Sequence, residues 1–333
     1  MKQLLGISSL LVGILLLSSW WSSGILPWQR ANHNQAASPT QRSIYAAYLS
    51  PPTEFEDFWF SRYKNSSDSY FDAVRILAYQ ILHASATRTR RNLDFVVFVH
   101  EGVDESKRDC LRRDGARVVE LPELRADWTR FKDARWAHVL TRLRLWQMVQ
   151  YDRILLLDAD SVLTRSIDAV WDLPEIQPKA PLSTSVHVGE RVLPLPKSYV
   201  LAGLPQLRLN HTARPAHVPE DFYDWETLNV GFLMLQPSLE IFDYFAAMLA
   251  VPESFESSIA DQSLVNVVFA ADGPMPWTQL DLSWNVQWPW PDDIWAGYAV
   301  LHEKWWAPLH LETLDFFHSW YWRMIGFYSG RDG

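Results

Sequence analysis

Two carboxylates flanking one small residue, Asp158-Ala159-Asp160, come directly after the apolar run Arg153-Ile-Leu-Leu-Leu157. In open α/β sheets, ligands bind beyond the carboxyl ends of the strands. Carboxylates at this spacing can converge there on one Mg²⁺ or Mn²⁺, ions that take oxygen ligands and bind diphosphate oxygens at the same time. Such an ion would neutralise a diphosphate as it leaves, which is electrostatic assistance to bond cleavage. The competing reading is a pair of solvated carboxylates capping the following turn. A bare Asp-x-Asp does not separate the two, and its place after a five-residue apolar strand weighs toward the metal.

Positioning such a pair requires a sheet, and the surrounding sequence alternates strands with helices. Residues 43–49 (SIYAAYL), 94–99 (DFVVFV), 116–121 (ARVVEL), 153–157 and 228–235 (LNVGFLML) read as strands. Residues 69–83 place Val74, Leu77, Ile81 and Leu82 on one helical face. Residues 104–113, 134–149, 238–250 and 259–269 read as further helices, with Ser238 as an N-cap. This alternation is that of an α/β fold whose mostly parallel central sheet is covered on both faces. Residues 176–221 are proline-rich and irregular, a loop-rich insertion of the kind that can serve as an acceptor-side lid. Residues 277–306 are crowded with aromatics, of which Trp284, Trp288, Trp290 and Trp295 divide between core and cleft wall. The chain has neither GxGxxG nor GxxxxGK[ST], so phosphate loops of those two kinds have no support.

The composition excludes several classes. Of 333 residues, 48% are apolar and 21% charged, which is ample for a core and rules out general disorder. An excess of 39 Asp and Glu over 30 Lys and Arg argues against a nucleic-acid partner. A single cysteine, Cys110, excludes intrachain disulfides and zinc–thiolate clusters. No charged residue occurs from Gln3 to Gln29, and residues 4–21 would span about 27 Å as a helix. A cleavable signal peptide shares these features, but no small-x-small cleavage site follows, so residues 1–24 are expected to be an uncleaved transmembrane signal anchor. Residues 25–42 then form a polar stem and residues 43–333 one catalytic domain, with sequons at Asn65 and Asn210 fitting a lumenal location.

Four stretches in order carry a family resemblance. Residues 141–160 (TRLRLWQMVQYDRILLLDAD), 228–238 (LNVGFLMLQPS), 261–266 (DQSLVN) and Asp68-Ser-Tyr70 before an apolar helix resemble glycosyltransferase family 8, the glycogenin-like retaining transferases of GT-A fold. The likeness runs from about residue 43 to 306. It implies Asp158, Asp160 and His302 as metal ligands, with the imidazole tilting the choice from Mg²⁺ toward Mn²⁺. It implies a UDP-sugar donor, with Tyr70 stacking on the uracil and Arg142, Ala159 and Lys304 along the diphosphate. Tyr70 reads equally as an ordinary aromatic at a helix start. Arg142 stands where the family usually has lysine, and the spacing from His302 to Lys304 is shorter than usual.

The resemblance further implies that Asn229, Asp261 and Gln262 face the donor sugar, with Asp221 or Asp224 near sugar or acceptor. Ser258 stands where some relatives carry an additional Asp. An amide at Gln262 rather than a carboxylate fits retention by front-side displacement, in contrast to the nucleophile of retaining glycosidases. Anchor and stem resemble those of fungal Golgi members that glycosylate glycans or glycoproteins. Two other readings share the metal site: an inactive membrane-anchored sugar- or nucleotide-binding protein, and a nucleotide-sugar hydrolase or nucleotidyltransferase.

Overall fold

In the computed structural model, residues 42–52, 68–212 and 218–332 are described. The expected anchor, nearly all of the stem and the Asn65 sequon lie outside the described residues. Among those described, no helix is long and apolar enough to cross a membrane.

The first strand, β1 (Ser43–Leu49), is buried along almost its whole length, as its run of Ile, Tyr, Ala and Leu requires. Asp68 then caps α1 (Ser69–Leu82) by accepting from the Phe71 amide, and the Val74, Ile76, Leu77 and Ile81 side chains pack inward. Strand β2 (Asp94–His100) is followed by α2 (Glu105–Asp114), which ends at Gly115 with φ of 104°. That left-handed position suits a residue without Cβ and turns the chain into β3 (Arg117–Leu121). The helix expected over 134–149 forms as Ala134–Gln147 but is wound with 3-10 geometry. It leads into β4 (Arg153–Leu157) and β5 (Ser161–Leu163), with Asp158-Ala159-Asp160 between them.

The segment 176–221 is more ordered than its prolines suggest. It contains a hairpin, β6 (Ser185–Val188) with β7 (Arg191–Pro194), and a fully buried strand, β8 (Leu201–Pro205). Prolines at strand ends and the small residues of Leu-Ala-Gly-Leu-Pro hide the pattern. Strand β9 (Leu228–Leu235) is buried throughout. Ser238 caps α3 (Leu239–Ala250), and α4 (Ala260–Val268) follows. Three short strands, β10 (Thr278–Gln279), β11 (Asn285–Gln287) and β12 (Val300–His302), occupy the aromatic region.

A last helix, α5 (Leu314–Asp332), escaped the sequence reading. It buries Phe317, Trp320, Met324 and Tyr328 on one side, while Phe327 at the edge of that face is half-exposed and the exposed Trp322 on the other side blurs the stripe.

The main sheet runs β10-β8-β9-β4-β1-β2-β3, and a smaller sheet runs β11-β12-β5. Pairs β1–β2, β1–β4, β2–β3 and β10–β8 are parallel, while β9 lies antiparallel to both β4 and β8. The expected α/β class with a mostly parallel central sheet is therefore the observed one. The carboxyl end of β4 meets the small sheet, and the candidate site lies at that seam.

Candidate active site

Hydrogen bonds to the backbone hold Asp158 and Asp160 where β4 gives way to β5. The Asp158 amide donates to the Gly231 carbonyl of β9 at 2.8 Å, and the Ser161 amide donates to the Asp158 carbonyl at 3.1 Å. Strand β5 pairs antiparallel with β12, setting His302 opposite Ser161. The Glu303 amide also donates to the Asp160 carbonyl at 2.9 Å. By this register His302 Nε2 comes to 3.2 Å from Asp160 Oδ1 and 3.5 Å from Asp158 Oδ2.

One ligand atom from each residue falls within 4.8 Å of the others, a spacing that can hold a metal ion. Two carboxylate oxygens and an imidazole nitrogen are a donor set suited to a divalent ion such as Mn²⁺. Burial alone would raise the Asp160 carboxyl, yet His302 and Lys304 beside it hold it well below the usual carboxylate range. For His302 burial opposes protonation, but Asp160 and then Asp158 outweigh it and raise the imidazole. Lys304 Nζ stands 3.9 Å from Asp160 Oδ2, and Ala159 is almost fully buried beneath the pair.

The backbone of β9 leaves room for this cluster at one residue. A Cβ on Gly231 would lie 2.1 Å from His302 Cε1, 2.6 Å from its Nδ1 and 2.9 Å from Asp158 Oδ2. Gly231 was not singled out as a site residue from the sequence, although it sits within the Asn229-Val-Gly231 motif.

Arg142 differs from expectation. Its Nε and Nη2 lie 2.7 and 2.6 Å from Asp261 Oδ2, and its Nη1 contacts Asp158 Oδ1. The guanidinium is thus engaged by two carboxylates behind the cluster, and it divides Asp158 into one oxygen for itself and one toward His302. Burial would lower the Arg142 pKa, but Asp261 and Asp158 raise it instead. Burial pushes the Asp261 carboxyl up despite Arg142. Removing one member of a buried pair costs about 3–5 kcal/mol. Arg142→Ala should therefore lower stability by roughly that amount at neutral pH. Without the cation the buried Asp261 carboxyl, already pushed up, takes up a proton more readily, so the deficit should shrink as pH falls. Thermal melts between pH 5 and 8 read this directly, and a deficit independent of pH would contradict it.

Asn229 and Gln262 meet at a third amide that sequence reading missed. Asn229 Nδ2 and Gln262 Nε2 each donate to Gln206 Oε1 at 2.9 Å. Asn266 anchors α4 to the start of β9, accepting from the Leu228 amide at 2.7 Å and donating to the Leu228 carbonyl at 2.9 Å. Asp261 and Gln262, on the first turn of α4, are thereby fixed against Asn229. Tyr70, on the first turn of α1, packs edge-on to Trp306 at 4.9 Å, and Trp305 Nε1 donates to the Ser69 carbonyl at 3.1 Å. The Tyr70 end of α1 is in this way tied to the chain just after His302.

Asp221 and Asp224 serve turns. Asp221 is buried and accepts from the Thr212 amide and hydroxyl and the Val218 amide. Asp224 accepts from the Glu226 and Thr227 amides and the Thr227 hydroxyl. The Ser258 hydroxyl donates to Glu256 at 2.6 Å. Among the tryptophans, Trp284 is core, Trp290 stacks on His310 at 3.7 Å, and Trp295 is 83% exposed.

A second group, His100, Glu123 and His138, also has metal-like spacing among the described residues. There His100 Nδ1 accepts from the Gly102 amide at 2.9 Å, so the neutral ring carries its proton on Nε2. A protonated Nε2 cannot ligate, and the donor set does not fit a cation.

The sequence model described as Glycosyl transferase family 8 matches residues 65–304. An uncharacterized protein of Schizosaccharomyces pombe is 25% identical over 306 residues, covering 81% of this chain and 79% of that protein. The UDP-glucuronate:xylan alpha-glucuronosyltransferase 1 of Arabidopsis thaliana is 27% identical over 129 residues, 39% of this chain and 19% of that protein. The solved structure of an active-site mutant of LgtC is 14% identical with a TM-score of 0.49, covering 83% of this chain and 94% of that one.

Proposed function

This chain belongs to glycosyltransferase family 8, and from that premise we propose that it is a retaining, Mn²⁺-dependent transferase. It moves a hexose or N-acetylhexosamine from a UDP-sugar to a glycan or glycoprotein acceptor. The observation that carries this reading is the convergence of Asp158, Asp160 and His302 at the carboxyl end of β4, in space that Gly231 leaves clear.

In this reading Asp158, Asp160 and His302 hold the ion, which neutralises the departing diphosphate when bound. Lys304 adds positive charge on the same side. Tyr70 offers its ring to the uracil, its edge contact with Trp306 fixing the ring's position. Arg142 acts through Asp158 and Asp261, holding both carboxylates in place. Gln262, Asn229 and Asp261 line the donor-sugar side. With an amide at Gln262, the acceptor hydroxyl attacks from the face the diphosphate leaves. The bond from the anomeric carbon to the phosphate oxygen breaks, and the hydroxyl proton passes to that oxygen. The uncharged stretch from Gln3 to Gln29 supports a type II membrane protein of the Golgi with a lumenal catalytic domain, and the Asn210 sequon is exposed on that domain.

The test is UDP release by the full chain in detergent, with and without Mn²⁺, from UDP-glucose, UDP-galactose, UDP-N-acetylglucosamine and UDP-glucuronate. The last donor is included because a relative's name carries it. Mn²⁺-dependent release from one donor is the expected result. No release together with no UDP binding would overturn the reading.

A further inference from the structure

Gln206 sits at the centre of a chain of amides whose orientations are fixed from both ends. At one end, Gln287 Nε2 donates to the Pro205 carbonyl at 3.2 Å, while Gln287 Oε1 accepts from the Leu207 amide at 3.1 Å. A carbonyl can only accept and an amide N–H can only donate, so Gln287 has one possible orientation. Its Oε1 also accepts from Gln206 Nε2 at 2.6 Å, and that nitrogen donates to the Leu207 carbonyl at 3.0 Å. Gln206 is therefore fixed in turn, with Oε1 facing Asn229 and Gln262. Both must then present their NH₂ groups to it. At the far end, Asn229 Oδ1 accepts from the Gly231 amide at 2.9 Å and Gln262 Oε1 from the Val230 amide at 3.3 Å. Backbone groups at both ends agree, and flipping any one amide would set oxygen against oxygen. Gln206, Asn229 and Gln287 are nearly fully buried, where such a mismatch is costly.

The chain also joins the two halves of the site. Gln287 lies opposite His302 in the parallel pairing of β11 with β12. At the other side the Gly231 amide donates to Asn229 Oδ1, and its carbonyl accepts from the Asp158 amide. We propose that Gln206 is a positioning residue: its carbonyl oxygen, oriented by Gln287, turns the Asn229 and Gln262 amides so that each offers its remaining N–H, and Gln262 its carbonyl oxygen, in one fixed sense to the donor sugar. This rests on the functional reading above and goes beyond it, since Gln206 and Gln287 hold the sugar-facing amides without being assigned to the sugar themselves.

The decisive variant is Gln206→Glu, which keeps size and one acceptor oxygen. Ionised, it sets a carboxylate oxygen against Gln287 Oε1 and the Leu207 carbonyl. Protonated, its single O–H restores one of the two hydrogen bonds the amide donated. Two facing acceptors and burial should place the new carboxyl's pKa between about 5 and 7. The variant-to-parent ratio of kcat for UDP release should be down about 10- to 100-fold at pH 8. It should rise as pH falls toward 5.5, with KM for the donor little changed. Taking the ratio at each pH cancels titration common to both proteins, including that of His302 and Asp261. Gln206→Leu, which can neither accept nor donate, should stay low at every pH.

A ratio flat with pH, or a loss carried by KM alone, would overturn the proposal. The Gln262 side-chain NH₂ signals, assigned by their loss in Gln262→Glu, give a readout independent of turnover. They should shift in Gln206→Glu at pH 8 and return near pH 5.5, and unmoved signals would overturn it equally. A parent that releases no UDP from any donor would instead count against the functional reading, with the NH₂ signals still deciding the role of Gln206.

Discussion

Replacing Asp160 by alanine is expected to lower metal-dependent turnover by about three orders of magnitude while the fold persists. The carboxylate lies at the seam between β4 and β5, where its ionic neighbours are His302 and Lys304. Truncation there deletes no apolar core volume. In the proposed metal site it would leave only Asp158 and His302, and one Asp158 oxygen is already engaged by Arg142. A two-donor site binds a divalent ion far more weakly than a three-donor one, so raising Mn²⁺ should recover part of the loss. The measurement is UDP release titrated with Mn²⁺, alongside a thermal melt. Activity near the parent level at low Mn²⁺ would remove Asp160 from the metal site. A collapsed melt would mean that the residue serves the fold first.

Much of this arrangement was legible in the sequence because it rests on local signals. The strand over 153–157 announces itself by five residues that bury together, and the Asp158-Ala159-Asp160 turn by the abrupt change to acid. Ser238 as a cap and the buried run of β9 are equally local. What sequence could not show was pairing at a distance. Arg142 reads as a phosphate ligand from its motif, but Asp261 is 119 positions away and reaches it only through the packing of α4. Gln206 lies in a proline-rich stretch whose strand β8 is disguised, and its partner Gln287 lies 81 positions further on. Asp221 and Asp224 were plausible by proximity to Asn229, yet short polar side chains before a strand more often satisfy turn amides, as both do here.

Gly231→Ala is the second change expected to have a large effect, and it adds only a methyl group. With that Cβ 2.1 Å from the imidazole, something must move. Strand β9 cannot easily retreat. It is buried along its length, hydrogen-bonded to β4 on one side and β8 on the other, and fixed at residue 231 itself by Asn229 Oδ1 on the amide and the Asp158 amide on the carbonyl. His302 is the freer party, being the last residue of a three-residue strand. The methyl group should therefore expel the imidazole at a cost in stability of about 1–3 kcal/mol. Mn²⁺ affinity should fall by about two orders of magnitude, as one ligand of three is displaced. A double-mutant cycle separates this route from a general strain on β9. If the methyl acts mainly through His302, adding Gly231→Ala to His302→Ala should cost clearly less Mn²⁺ affinity than Gly231→Ala alone, because the displaced ring is already gone and only the 2.9 Å approach to Asp158 Oδ2 remains. Fully additive losses would show that the glycine matters for the strand rather than for the metal ligand, and calorimetric Mn²⁺ titration of the four proteins decides between the two.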